Sequence, residues 1–157
     1  MKKYIRCHIV KAEPMTRGDY NKLRGWEIPA NENPADEGYH VVYPDGYNSW
    51  CPKDSFEKAA RPVDGMTFGQ AIEAMKQGAK VARKGWNGKG MYIWVMPGST
   101  IVNCQNITDP HLKAINDANG GTITFTGSIR MKTATGEVLT GWLASQTDML
   151  SDDWVIV

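Results

Sequence analysis

The sequence contains no apolar run approaching the roughly 20 residues that a membrane-spanning helix needs. Its opening, Met1-Lys2-Lys3-Tyr4-Ile5-Arg6, imitates the basic start of a secretory signal. Arg6, His8 and Lys11 interrupt any apolar stretch behind it, so secretion is not expected. Cysteine is scarce. Cys7, Cys51 and Cys104 form an odd set without a C-x-x-C pair, which argues for reduced intracellular thiols and against a disulfide frame or zinc site. Net charge is scarce as well: 18 basic against 17 acidic side chains leave +1 over 157 residues. A dedicated duplex-DNA binder carries a basic excess to neutralise phosphates, and that excess is missing. A small anionic ligand is not excluded, because it needs only a local cluster. With 41% hydrophobic residues, the chain is too apolar to be disordered.

Catalytic signatures are missing too. There is no P-loop, and Gly85, Gly88 and Gly90 do not make a G-x-G-x-x-G turn between strand and helix. His8, His40 and His111 are scattered without partners at metal-ligand spacing, and read as incidental. Asp152 and Asp153 are adjacent, hence on opposite sides of an extended chain. No Ser-His-Asp or Cys-His arrangement suggests itself. The sequence offers no visible catalytic apparatus, so no catalytic residue, metal or cofactor is assigned from it.

What the chain does have is aromatics, six Trp and six Tyr against three Phe. Tryptophan serves either as core filler or as a ligand platform. The seam between modules is expected at Arg61-Pro62-Val63-Asp64-Gly65, where Pro and Gly punctuate the chain. Residues 1–62 read as a strand over Tyr4–Lys11, a helix capped by Thr16 and closed by Gly25, and a loop over 27–38. A hairpin across Pro44-Asp45-Gly46 and a short helix from Pro52 to Ala60 complete it. After the seam, Thr67 and Gln70 form a capping box, and Phe68, Ala71, Ile72 and Met75 follow at helical spacing up to Gly78. Strands are expected over Val81–Trp86 and Met91–Met96, and a helix from Asp109-Pro110 to about Asn119. A hairpin of Thr122–Lys132 with Glu137–Trp142, a turn over Thr147–Leu150 and a strand Trp154–Val157 close the chain. The fold class is α+β, with small antiparallel sheets and short helices in two modules, 1–62 and 66–157.

Between Glu73 and Asp109 no acidic residue occurs, yet Lys76, Lys80, Arg83, Lys84 and Lys89 all fall there. Such a stretch hints at an anion site. Within it, Trp86 and Asn87 end a strand in a glycine-lined turn. An indole can stack on a base, Asn can read an adenine edge, and Arg or Lys can meet a pyrophosphate. An ordinary hairpin with a basic edge is the alternative, and on composition alone the better one. In Gly141-Trp-Leu-Ala-Ser-Gln-Thr-Asp148, the residues Gln146, Thr147 and Asp148 could bond ribose hydroxyls or a base. Ser145 and Asp148 could equally cap the following turn, which leaves Gln146 unexplained. Phe68 sits at a helix N-terminus, where anions are welcome.

Four stretches carry a resemblance: Met66-Thr-Phe-Gly-Gln-Ala-Ile-Glu-Ala-Met-Lys-Gln-Gly78, Val81-Ala-Arg-Lys-Gly-Trp-Asn-Gly-Lys-Gly-Met91, Met131-Lys-Thr-Ala134, and Gly141 through Val157. In order, and across about 66–157, they closely resemble the second type of phage Thoeris anti-defence protein, a nucleotide sponge. The resemblance implies sequestration without chemistry of the cyclic ADP-ribose isomer made by bacterial TIR proteins. Some family members also hold cyclic oligonucleotides made by cGAS-like enzymes of the CBASS defence. It further implies a homo-oligomer, a dimer or a dimer of dimers with pockets between protomers, acting in the cytoplasm of the infected bacterium without membrane or duplex nucleic acid.

Carried over by motif, Trp86 and Asn87 lie in the ligand pocket, Phe68 and Trp142 form its aromatic walls, and Gln146, Thr147 and Asp148 supply polar contacts. Arg83 is the phosphate candidate. Trp26, Trp50, Trp94 and Trp154 are left to the core. Residues 1–62 look like a small module found ahead of this domain in phage proteins, with no function assigned. The runner-up reading is a module that binds single-stranded nucleic acid, or a phage accessory binding module, using the same Trp-and-Lys surface.

Overall fold

A computed structural model describes Lys2 and residues 7–157 of the chain. It divides into two compact units, Met1–Met66 and Thr67–Val157. It is α+β throughout, with short helices on small antiparallel sheets.

In the first unit, β1 (Lys11–Pro14), β2 (Gly38–Val42) and β3 (Asn48–Pro52) form a sheet of order β1-β2-β3. The first strand thus starts where the sequence placed its end. Residues 7–10 are not in a strand, and 4–6 lie outside the described residues. Helix α1 (Arg17–Arg24) begins at Thr16, whose hydroxyl accepts from the Asp19 amide, and stops at Gly25, left-handed at φ 67°. Both ends follow from local chemistry: a side-chain oxygen satisfies an orphan amide, and glycine adopts the reversed backbone without a Cβ penalty. Helix α2 (Lys53–Ala59) follows β3 directly.

Tyr20 and Asn21 are buried, and Arg17 forks onto Glu32 through its Nε and a terminal nitrogen. Trp50 is half-buried and donates its indole N–H to the Met15 carbonyl at 2.9 Å. Trp26 departs from the core assignment: it is 52% exposed, edge-on to Tyr20 and beneath the Arg24 guanidinium. It follows the Gly25 cap, where the chain has already left the buried side of α1.

In the second unit, α3 (Phe68–Lys76) carries the expected capping box between Thr67 and Gln70. The main sheet has the order β10-β4-β5-β8-β9, from β4 (Val81–Arg83), β5 (Tyr92–Met96), β8 (Ser128–Lys132), β9 (Val138–Thr140) and β10 (Trp154–Ile156). Val81, Ile93 and Met131 are direct partners across three of these strands, so they share one face. All three are buried, with Ala71, Ala74 and Met75 of α3 and with Trp154. Helix α3 packs against β10, β4 and β5.

The long strand expected over Thr122–Lys132 is broken in two. Its first part, β7 (Thr122–Phe125), pairs with β6 (Ser99–Val102), a strand the sequence reading did not anticipate. The break at Thr126-Gly127 lies beside Pro97-Gly98, where a Cβ on Gly98 would stand 2.9 Å from the Phe125 carbonyl oxygen. Proline lacks a ladder donor and glycine permits the close approach, so the β5–β8 ribbon is interrupted before continuing as β6–β7. Helix α4 (Pro110–Ala118), capped by Asp109, packs on β7.

Gly38 supplies a direct test of the first unit. A Cβ there would lie 2.4 Å from the Trp50 ring and 2.5 Å from the Cys51 carbonyl oxygen. Gly38→Ala should cost about 1–3 kcal/mol through overpacking, read as a lowered melting temperature.

Candidate functional site

Strand β4 ends at Arg83, which is the direct partner of Trp154 on β10. The chain then turns, with the Trp86 amide bonding the Arg83 carbonyl and the Lys84 amide bonding the Asp153 carbonyl. This antiparallel pairing brings Asp153 to Arg83: Nε donates to Asp153 Oδ1 at 2.8 Å, and the Gly85 amide donates to Oδ2 at 2.8 Å. Gly85 is needed for that approach, since a Cβ there would sit 2.8 Å from Asp153 Oδ2.

The short helix α5 (Gln146–Met149) brings the second carboxylate. Ser145 and Asp148 form a reciprocal capping box, with the Ser145 amide and hydroxyl donating to Asp148 Oδ2 at 3.0 and 2.7 Å. The other oxygen, Oδ1, accepts from the Trp86 indole N–H and from Arg83, each at 3.0 Å. The Asp148 carbonyl in turn accepts from Trp154 Nε1 at 3.0 Å. Arg83 and Asp148 side chains are only 12% and 13% exposed.

Around this polar knot stand four aromatic rings. Trp154 is fully buried, with Phe68, Trp86 and Trp142 at centroid distances of 5.2, 5.4 and 6.3 Å. Trp86 and Trp142 meet edge to face at 6.0 Å, as do Phe68 and Trp142 at 6.4 Å. Such geometry aligns ring edges with neighbouring π faces.

The structure therefore gathers Phe68, Arg83, Trp86, Trp142 and Asp148 into one cluster. Asn87, next in chain to Trp86, is exposed in the turn, and Gln146 and Thr147 are exposed on α5. Two members were missed by the sequence reading. Adjacency to Asp152 on an extended chain gives Asp153 no partner in the sequence, and the sequence places Trp154 in the core alone. The usable signal is the cluster of acids at Asp148, Asp152 and Asp153, set against an acid-free stretch over 74–108 that contains a lone Arg. That stretch is partly compensated: Lys76 pairs with Glu73, and Arg83 with both Asp148 and Asp153. Two cavities lie apart from the cluster. One of about 170 Å³ is lined by Lys80, Tyr92 and Trp94 among others, and one of about 280 Å³ by Cys104, Lys113 and Asn116 among others.

Burial works to raise the Asp148 carboxyl, but hydrogen bonds from Ser145, Trp86 and Arg83 outweigh it and hold the group at about 2. The hydrogen bond from Arg83 likewise lowers Asp153. For a depressed carboxyl the sign is fixed: the stabilisation is complete above the ordinary aspartate value near ~4 and is lost as pH falls through the folded value. The melting temperature should thus drop between about pH 4 and 2. Asp148→Asn should lower stability at neutral pH by about 1.5–3 kcal/mol and flatten that acid limb in thermal melts.

Residues 66–157 match the profile of the Tad2-like, Thoeris anti-defense 2-like domain. Thoeris anti-defense 2 of Bacillus phage SP01 is 37% identical over 92 residues, covering 59% of this chain and 94% of that protein. The matched segment contains the whole Trp86–Asp148 cluster and leaves the strand–helix–hairpin unit outside it. On that match the chain belongs to the Tad2-like family of Thoeris anti-defense proteins.

Proposed function

We propose that this protein is a phage sponge that binds and sequesters a cyclic nucleotide immune signal without cleaving it. The TIR-made cyclic ADP-ribose isomer is the first candidate, with cyclic di- or trinucleotides as further ones. The observation that carries the reading is the ring cluster: Trp86, Trp142 and Phe68 are each only half-buried around the fully buried Trp154. Half-buried rings on a rigid base can stack on a purine, worth roughly 1–3 kcal/mol per base. The exposed amides and hydroxyl of Asn87, Gln146 and Thr147 at its margin suit ribose and base edges.

Neither described cavity takes in this cluster. Tight capture of a small ligand needs most of its surface covered, which a second copy of the chain would supply. The apolar residues beside α5 support such assembly, since Leu143 is 88% and Leu150 82% exposed. No helix among the described residues is long and apolar enough to cross a membrane, and we place capture in the host cytoplasm, where the signal is made.

Trp86→Ala should weaken binding of the ADP-ribose isomer by at least about tenfold, measured by calorimetry, while the protein stays folded. Affinity that survives this change would remove Trp86 from the site. Leu143→Asp with Leu150→Asp should convert the oligomer to a smaller species by light scattering, with parallel loss of capture. An unchanged mass would show that the assembly uses another face.

A further inference from the structure

Asp148 has its acceptor capacity filled. A carboxylate offers about four lone-pair positions. Here they meet Trp86 Nε1, Arg83, the Ser145 amide and the Ser145 hydroxyl. Three of the five N–H donors of Arg83 are committed, forked across Asp148 and Asp153 with Nε at 2.8 Å, one terminal nitrogen at 3.0 Å and the other at 3.4 Å. One guanidinium between two carboxylates leaves this knot with a formal charge of −1. A phosphate approaching it would meet a compensated cation and a surplus acid.

We infer that Asp148 and Arg83 are positioning residues rather than ligand contacts: they lock the Trp86 indole by its N–H, so that Trp86 offers the ligand a ring face and no hydrogen bond. This rests on the sponge reading and deepens it. The knot links three separate parts of the chain: the end of β4, the capped helix α5, and β10 through Trp154 Nε1 on the Asp148 carbonyl. The same carboxylate that orients Trp86 therefore also holds the helix bearing Gln146 and Thr147. Selection at Trp86 is by shape and stacking, which tolerates different bases. Phosphate recognition falls to groups outside the Arg83 knot.

The test is a set of variants titrated with the ADP-ribose isomer by calorimetry, each checked by thermal melting. Trp86→Phe keeps a ring face and removes the N–H. It should lose less binding than Trp86→Ala, which loses about tenfold or more, and no more than Asp148→Asn, which breaks the same bond. Asp148→Asn should weaken capture and shift the tryptophan fluorescence of the free protein, a shift that shrinks when Trp86 is already Phe. Combining it with Trp86→Phe should add little further loss, because both changes break one chain of action. The inference is overturned if Trp86→Phe, still folded, costs as much binding in the Asp148→Asn background as it does in the parent, since the N–H would then serve the ligand and not Asp148. If the parent protein does not hold the isomer at all, the sponge reading itself fails, an outcome distinct from that one.

Discussion

The second unit is organised around one carboxylate. Asp148 accepts from the neighbouring Ser145 and from a strand-end guanidinium and an indole that lie more than 60 residues before it in sequence. Removing water from a charged group is costly unless its lone pairs are met, and here four donors meet them. The consequence is mechanical: the turn carrying Trp86 and Asn87 cannot move independently of α5, which carries Gln146 and Thr147. The surface formed by these two loops is thereby made stiff. On the proposed sponge reading such pre-organisation favours affinity, since ordering costs otherwise subtract from it.

The same network revises the meaning of the chain's near-neutrality. The acid-free segment containing Arg83 is not a free basic surface, because acids from the C-terminal segment fold back onto it. Part of its charge is spent on architecture. What remains available to an anion is a smaller and more local set than the sequence suggests.

Much of the local structure was legible because its causes are local. Thr16, Thr67, Asp109 and Ser145 each start a helix by the side-chain chemistry that caps require, and Gly25 ends one in the left-handed region. The hairpin over Pro44-Asp45-Gly46 followed from turn chemistry in the same way. Long-range pairing was not legible. The contact between Arg83 and Asp153 spans 70 residues and exists only because β10 pairs with β4. Nothing in the spacing of Asp152 and Asp153 announces it. The β6–β7 ribbon was missed for a related reason: Ser99–Val102 is exposed along its length, so it lacks the burial alternation that marks a half-buried strand. Among the aromatics, composition could not separate Trp154, fully buried, from Trp26, half in solvent.

The sponge proposed for this chain of the Thoeris anti-defense family would hold its signal without transforming it. The direct measurement is recovery of the ligand. The protein is incubated with the TIR-made ADP-ribose isomer until the free signal disappears, then denatured, and the released molecules are identified by mass spectrometry. Intact isomer in amounts matching the binding sites is the expected result. A cleaved or rearranged nucleotide after denaturation would contradict sequestration and make the protein an enzyme.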